Sequence, residues 1–264
     1  PPPPPPPPTP HTTSRCSSAA SDVYKRQAMS VLVTDSSFGQ KTDPTVDDIL
    51  QEYIQALGGE ETLNSVTSMK LSASQTVHND EGTSESTDTM LVSGGRWIIR
   101  NSQGVRSGFD GSRHWIQPKG YEPKWQTEIR YPFNLRDPVA YPLHLLRFPG
   151  TLTFAGQTKV GDFSAFRVCV QPSEPEPTDK IRQTPLEFLF DAKTGLLIQV
   201  VFEARKVEFS DYRDVDGVMI PFQRRSTYRF ADISSQYETL IQSIEVNPKL
   251  DDGLFVAPVG DGRR

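Results

Sequence analysis

The chain has 264 residues, 23% of them charged, and a formal net charge of −5 at pH 7. A mildly acidic chain lacks the basic stripe that nucleic-acid binding needs, and its net charge argues against attraction to anionic lipid surfaces. No apolar run approaches the roughly 18 residues of a membrane-spanning helix. The length suits one large domain, since all-β domains reach about 200–250 residues.

The first 42 residues are not expected to belong to the fold. Residues 17–27 read SSAASDVYKRQ, which is the in-frame translation of a transposase adapter used in sequencing libraries. We therefore interpret residues 1–27 as an unstructured adapter-derived artefact and exclude them, like a fusion scar. Residues 28–42 have a short apolar piece followed by small residues, which is typical of a truncated signal peptide; a disordered tail is the alternative. A single β domain is expected over residues 43–260.

The clearest helix signal is Asp43–Gly59. Asp43 or Thr45 can cap its N-terminus with Pro44 in the first turn, and the two glycines at its end provide a stop. A second helical turn is predicted at Glu60–Ser65. The apolar residues of the first helix recur at spacings of three and one and form one stripe. The stripe comprises Val46, Ile49, Leu50, Tyr53, Ile54 and Leu57.

From Ser68 onward apolar and polar residues alternate with a period of two, which indicates half-buried strands. About ten or eleven strands are predicted, with a polar hairpin loop over His78–Ser86 and Asp-Gly turns at Asp110-Gly111 and within Asp214–Gly217. A Pro-bounded segment at 132–149 favours a short helix, and residues 171–184 form a Pro-rich loop. The strands follow one another too closely for helices between them, so the sheet should be antiparallel.

A sheet of this length is expected to curl. The predicted fold is mainly β, with a curved antiparallel sheet, an incomplete β-barrel, wrapped around the N-terminal amphipathic helix and a short central helix. Its apolar interior is a natural place for a hydrophobic ligand. The same aromatic and aliphatic residues would also form a packed core, and the pattern leaves both readings open. The candidate cavity residues are Leu71, Trp97, Phe154, Leu186, Phe188, Phe190, Ile198, Val200, Phe209 and Phe222.

Sequence motifs for catalysis are missing. His78, His114 and His144 share no metal-ligand spacing, and Cys169 alternates with buried-face residues as a small hydrophobe would. The chain has no nucleophile elbow, P-loop or dinucleotide-binding motif. We therefore expect no enzyme activity, no catalytic residues, no metal and no cofactor.

Five segments occur in an order that resembles a known family. They are Ile49–Ser74, Gly108–Trp115, Phe188–Val200 (FLFDAKTGLLIQV), Phe209–Phe222 (FSDYRDVDGVMIPF) and Ile244–Pro258. Together they resemble bacterial exported proteins described as outer-membrane lipoprotein-sorting-like, related in fold to the LolA and LolB lipoprotein carriers.

The resemblance implies a LolA-like incomplete barrel with a cavity for acyl chains and a periplasmic location, in some cases close to the outer membrane. Two functions follow from it. One is non-enzymatic binding of lipoprotein or lipid acyl chains by a carrier or sensor. The alternative is a protein-interaction module of a cell-envelope complex with a filled core. The expected partners are a lipidated protein, free lipid or an envelope protein, with no nucleic acid, and the chain is expected to be a monomer.

Overall fold

The computed structural model describes residues 43–126, 137–148, 150–171, 186–202, 204–230 and 233–256. The predictions for residues 1–42 and for most of the Pro-rich loop at 171–184 lie outside the described residues. The part of the chain that begins at Pro44 forms one compact unit.

Three α-helices and thirteen β-strands lie in the described ranges. The helices are α1 (Val46–Ala56), α2 (Glu60–Ser65) and α3 (Ala140–Leu146). The strands are β1 (Ser68–Asn79), β2 (Gly82–Ser93), β3 (Arg96–Asn101), β4 (Arg106–Phe109), β5 (His114–Gln117), β6 (Lys124–Gln126), β7 (Thr151–Val160), β8 (Phe163–Gln171), β9 (Leu186–Asp191), β10 (Leu197–Phe202), β11 (Arg205–Val215), β12 (Val218–Phe230) and β13 (Ile233–Val246).

All thirteen strands belong to one antiparallel sheet, in the order β6-β5-β4-β3-β2-β1-β13-β12-β11-β10-β9-β8-β7. The first and last strands pair in its interior, and β6 and β7 form its two edges without pairing with each other, so the barrel is not closed. One face, called the inner face below, shares a single apolar core with the three helices. The predicted fold class, an incomplete antiparallel barrel around an N-terminal and a central helix, is confirmed.

Helix α1 begins at Val46 because a capping box fixes its start. The Thr45 side chain accepts from the backbone N–H of Asp48 at 3.1 Å, and the Asp48 carboxylate accepts from the backbone N–H of Thr45 at 2.9 Å. Pro44 therefore precedes the cap instead of lying in the first turn, and the helix is shorter than the predicted range. Helix α2 has the predicted bounds, and α3 is the short helix expected in the Pro-bounded segment.

Two predictions about the strands were wrong. The polar stretch His78–Ser86 is not a loop: β1 continues to Asn79, which pairs with Gly82 at the start of β2. Polar residues there indicate exposure, since ladder hydrogen bonds use the backbone and tolerate polar side chains. The strand count is also higher than ten or eleven. The short edge strand β6 was not recognised, and the alternation of β7 is interrupted by a register shift between Phe154 and Gln157.

A smaller second core lies on the opposite face of the sheet, called the outer face. A short 3-10 helix, Asp252–Phe255, crosses this face and buries Phe255 to 1% exposure. Leu91, Ile98 and Trp115 pack against it. Strands β2 and β3 are therefore covered on both faces at this point, which explains why neighbouring residues in them are buried without alternation.

Candidate apolar binding site on the inner face

An open apolar pocket lies where the inner face of β1–β3 meets that of β11–β13. Its enclosed volume is about 60 Å³, and its atom-free space including the open mouth is about 570 Å³. A region enclosing 60 Å³ has room for several water molecules, well short of the roughly 300–1,000 Å³ of a drug-sized pocket. Its apolar wall consists of Leu71, Ala73, Met90, Ile99, Pro138, Phe209, Pro221, Phe222 and Ile241.

Strand alternation and one bulge bring these side chains together. Leu71 and Ala73 lie two residues apart on β1 and so point to the same face. Their partners on β13, Ile244 and Ile241, are three residues apart, because the register shifts next to Ala73. The extra residue, Gln242, returns Ile241 to the inner face. Without the bulge, Ile241 would point outward and the pocket would lose part of its wall.

Polar and cationic groups lie at the rim of the pocket. Arg224 and Thr239 both line it, and the Arg224 guanidinium donates to the Thr239 hydroxyl at 3.4 Å. The Arg213 guanidinium stacks on Phe222, 4.4 Å from the ring centroid. It also donates to both carboxylate oxygens of Asp211, at 2.6 and 3.0 Å, and these hydrogen bonds lower the pKa of Asp211. The pocket is thus an apolar surface whose lining also contains Asp88, Arg224 and Thr239, and the Arg213–Asp211 ion pair lies against its Phe222 wall.

A second pocket of about 250 Å³ lies beside the first, beneath α2 and α3. The N-terminal end of α3 separates the two, because Pro138 lines the first pocket while Asp137 and Val139 line the second. Asp137 is 4% exposed and accepts from the backbone N–H groups of Val139 and Ala140 at 3.1 and 2.9 Å. Burial raises the pKa of Asp137, and these hydrogen bonds together with His144 oppose that shift.

The inner face beneath the helices is packed. The ring centroids of Tyr53 on α1 and Phe190 are 5.1 Å apart, and those of Tyr141 on α3 and Phe188 are 6.0 Å apart. Both phenylalanines are 0% exposed. Burial raises the pKa of both tyrosines, so their hydroxyls stay protonated at neutral pH. This end of the interior is filled by the protein's own side chains.

The ten predicted cavity residues occupy several environments. Leu71, Phe209 and Phe222 line the apolar pocket, whereas Leu186, Phe188, Phe190 and Val200 belong to the packed core. Trp97 and Phe154 are half-buried against that core. Ile198 is not part of it, because a register shift between Leu197 and Gln199 breaks the alternation that Ile198 and Val200 were expected to share. The alternation on β10 alone could not reveal this shift.

Sequence analysis missed much of the pocket wall. Ile99 and Ile241 lie in predicted strands, but the candidate residues were drawn chiefly from segments dense in aromatics. Arg224 and Thr239 were not considered, because the sequence of a strand does not show whether one of its polar residues lies next to a pocket. Pairing between strands distant in sequence was the missing information.

Among the described residues, no helix is long and apolar enough to span a membrane, and no group of three or more His, Cys, Asp or Glu could hold a metal ion. His78 and His144 are exposed, while His114 stacks on Phe109 with ring centroids 4.6 Å apart. Burial lowers the pKa of His114, and the nearby Asp110 opposes the shift. Cys169 is 2% exposed on β8.

No family model and no curated protein sequence matches the chain. Solved structures do. A LolA superfamily protein from Nitrosomonas europaea matches with a TM-score of 0.57 at 10% identity, over 81% of this chain and 98% of that one. A DUF1329 family protein from Desulfovibrio piger gives 0.58 at 11% identity, over 80% and 97%. An outer membrane lipoprotein-sorting protein domain from Vibrio parahaemolyticus, itself described as putative, gives 0.56 at 12% identity, over 79% and 95%. At these identities the likeness concerns the fold, and the expected LolA-like fold is confirmed.

Proposed function

We propose that this chain, which has a LolA-like fold, is a non-enzymatic protein of the bacterial cell envelope that binds an acyl chain of a lipid or lipoprotein in its apolar pocket. The observation that carries the proposal is the pocket itself, an apolar wall from six strands that the helices leave open. The similarity to a lipoprotein-sorting domain supports the same ligand class. Its expected location is the periplasm, and its expected state is a monomer.

The pocket encloses about 60 Å³, which is too small for a whole lipid. A single acyl chain would therefore lie along the inner face with one side exposed to solvent. The apolar wall would gain about 25 cal/mol for each Å² removed from water. The Arg224 guanidinium, which lines the pocket, would face an anionic head group.

The proposal is tested with the purified chain by titration of a fluorescent fatty acid, together with mass spectrometry of lipids that copurify. We expect saturable binding that tightens about fourfold for each CH2 added to the chain, from roughly 0.8 kcal/mol per methylene. Ile241→Lys should weaken binding at least tenfold, because it puts a charge into the apolar wall.

The matched control is Leu240→Lys, since Leu240 precedes Ile241 on β13 but is 44% exposed and does not line the pocket. This variant should bind like the parent chain. Equal binding by the two lysine variants would place the ligand elsewhere, and the absence of saturable binding to the parent chain would reject the acyl-chain proposal.

One observation favours the alternative, a protein-interaction module of a cell-envelope complex. The inner face beneath α1 and α3 is filled by its own side chains, as such a module would require. The same titration separates the two functions, because a module with a filled core binds no fatty acid and its affinity for a purified partner would not change with Ile241→Lys.

A further inference from the structure

The charge of the molecule is unevenly distributed. The segment from Arg96 to Gln126 contains six lysines and arginines but only two carboxylates, Asp110 and Glu122, in a chain whose net charge is −5. The segment comprises strands β3–β6, the end of the sheet furthest from β7. A basic region therefore lies at one edge of an acidic protein, and the expectation from net charge that the protein avoids anionic lipid surfaces does not hold for this edge.

Arg100 and Arg106 share one side of the sheet, whereas Lys124 pairs with Ile116 and lies on the other side. Arg100 pairs with Arg106 across β3 and β4, on the same face as Ile98 in the outer core. Lys119 reaches the turn between these strands, since a Cβ added to Gly104 would lie 2.9–3.1 Å from its side-chain carbons. Strands of four residues are about 13 Å long, so the cations lie within one or two Debye lengths of each other at physiological salt.

Five of the six cations form no ion pair among the described residues. Arg96, Arg147, Lys206, Arg213 and Arg225 each pair with a carboxylate, whereas Arg100, Arg106, Arg113, Lys119 and Lys124 do not. Two like charges directly opposite each other on neighbouring strands destabilise a sheet. The Arg100–Arg106 pair thus works against folding, and an anionic partner would relieve its repulsion.

Two exposed aromatic side chains accompany the cations. Tyr121, in the β5–β6 turn, is 69% exposed, and Trp125 on β6 is 43% exposed. Trp125 pairs with Trp115, which packs in the outer core, so it belongs to the same face as the arginines. The Arg113 guanidinium lies 3.9 Å from the centroid of the Trp125 ring. Tyrosine and tryptophan with neighbouring cations are the side chains that favour the interface of a lipid bilayer.

We propose that this basic edge, formed by Arg100, Arg106, Arg113, Lys119, Tyr121 and Trp125, docks the protein on the surface of an anionic lipid bilayer. The cations attract the phosphate head groups, and the two aromatic rings insert at head-group depth. The exposed rings favour a bilayer over a soluble polyanion, which offers no apolar boundary. The site is separate from the apolar pocket and does not rest on the acyl-chain proposal.

The test is cosedimentation of the full chain with vesicles of phosphatidylcholine alone and of phosphatidylcholine mixed with phosphatidylglycerol. We expect binding only to the anionic vesicles, and weaker binding as salt rises. Arg100→Gln combined with Arg106→Gln should weaken it roughly twentyfold, from about fivefold per cation. Lys193→Gln combined with Lys249→Gln removes the same charge from exposed positions elsewhere and should leave it almost unchanged.

Tryptophan fluorescence gives a second readout that does not depend on charge. Trp115 is 1% exposed and Trp97 is half-buried, so a blue shift on vesicle binding should come from Trp125 and disappear in Trp125→Phe. Equal binding to both kinds of vesicle, equal loss in the two double variants, or binding to heparin without binding to anionic vesicles would each overturn the proposal. Circular dichroism identifies variants that fail to fold.

Discussion

The two ends of the inner face are built from the same kind of strand but differ in what covers them. Under α1 and α3, Phe188 and Phe190 are 0% exposed and pack on tyrosines from both helices. At the pocket, Phe222 and Ile241 are only half-buried. Strand alternation decides which side chains point inward, whereas the reach of three short helices decides which of them are covered. We therefore expect ligand binding at the part of the inner face that the helices leave uncovered.

The largest expected effect tests this difference directly. Phe188→Ala removes a fully buried ring from the helix-covered end and should lower the free energy of unfolding by about 3–5 kcal/mol. Phe222→Ala removes the same atoms at the pocket, where solvent can occupy the space, and should cost about 1–2 kcal/mol. Urea unfolding of both variants measures the two values. Equal losses would mean that the pocket end is as tightly packed as the covered end.

The second-largest expected loss of stability concerns the contact between the C-terminal end of α1 and the β11–β12 turn. Gly58 has a φ of +114°, and a Cβ there would clash with the carbonyl oxygen of Gly217 in the β11–β12 turn. Beside it, the carbonyl of Leu57 accepts from the backbone N–H of Met219 at 3.0 Å. Gly58→Ala should therefore cost about 2–4 kcal/mol, because it adds a clash to an unfavourable backbone conformation.

The control for this variant is Gly120→Ala, at a φ of +79° with no atom within 4 Å of the added Cβ. It carries the backbone strain without the clash and should cost about 1 kcal/mol. If the two alanine variants unfold at the same urea concentration, the contact between α1 and the β11–β12 turn does not hold the helix on the sheet.

The smallest effect is a pH dependence at the boundary between the two pockets. Because burial raises the pKa of Asp137, the folded state binds its proton more tightly than the unfolded state does. Its contribution to stability is therefore present at acid pH and falls as pH rises from about 4, the ordinary Asp value, through the raised folded value. Asp137→Asn keeps an oxygen for the two backbone N–H groups but carries no charge.

Unfolding measured from about pH 4 to neutrality should show the Asn variant becoming progressively more stable relative to the parent chain, because only the parent chain loses the contribution of its bound proton. If the difference in unfolding free energy between the two chains stays constant across this pH range, burial of the Asp137 carboxylate does not destabilise the folded state. A steady loss in the variant would show that the charge itself stabilises the N-terminus of α3.

Features that depend on residues close in sequence were predicted more accurately than features that depend on pairing between distant strands. The bounds of α2, the turn at Asp110-Gly111 and the burial of Leu186, Phe188 and Phe190 on β9 depend on neighbouring residues and agree with the predictions. Ile198 was expected to share a face with Val200, and Ile241 was not among the candidate residues; each lies beside a register shift that depends on a partner strand. Alternation along a single strand could not reveal either shift.

The sequence by itself determined a mainly antiparallel sheet, an amphipathic helix that needs an apolar surface, and the side of most strands that faces it. These features follow from periodicity and turn chemistry, which are local. Only the tertiary structure decided that β1 pairs with β13, that the helices leave part of the inner face open, and that the Arg113 guanidinium lies over the exposed Trp125. Each of these depends on contacts between residues far apart in the chain, which neither composition nor spacing encodes.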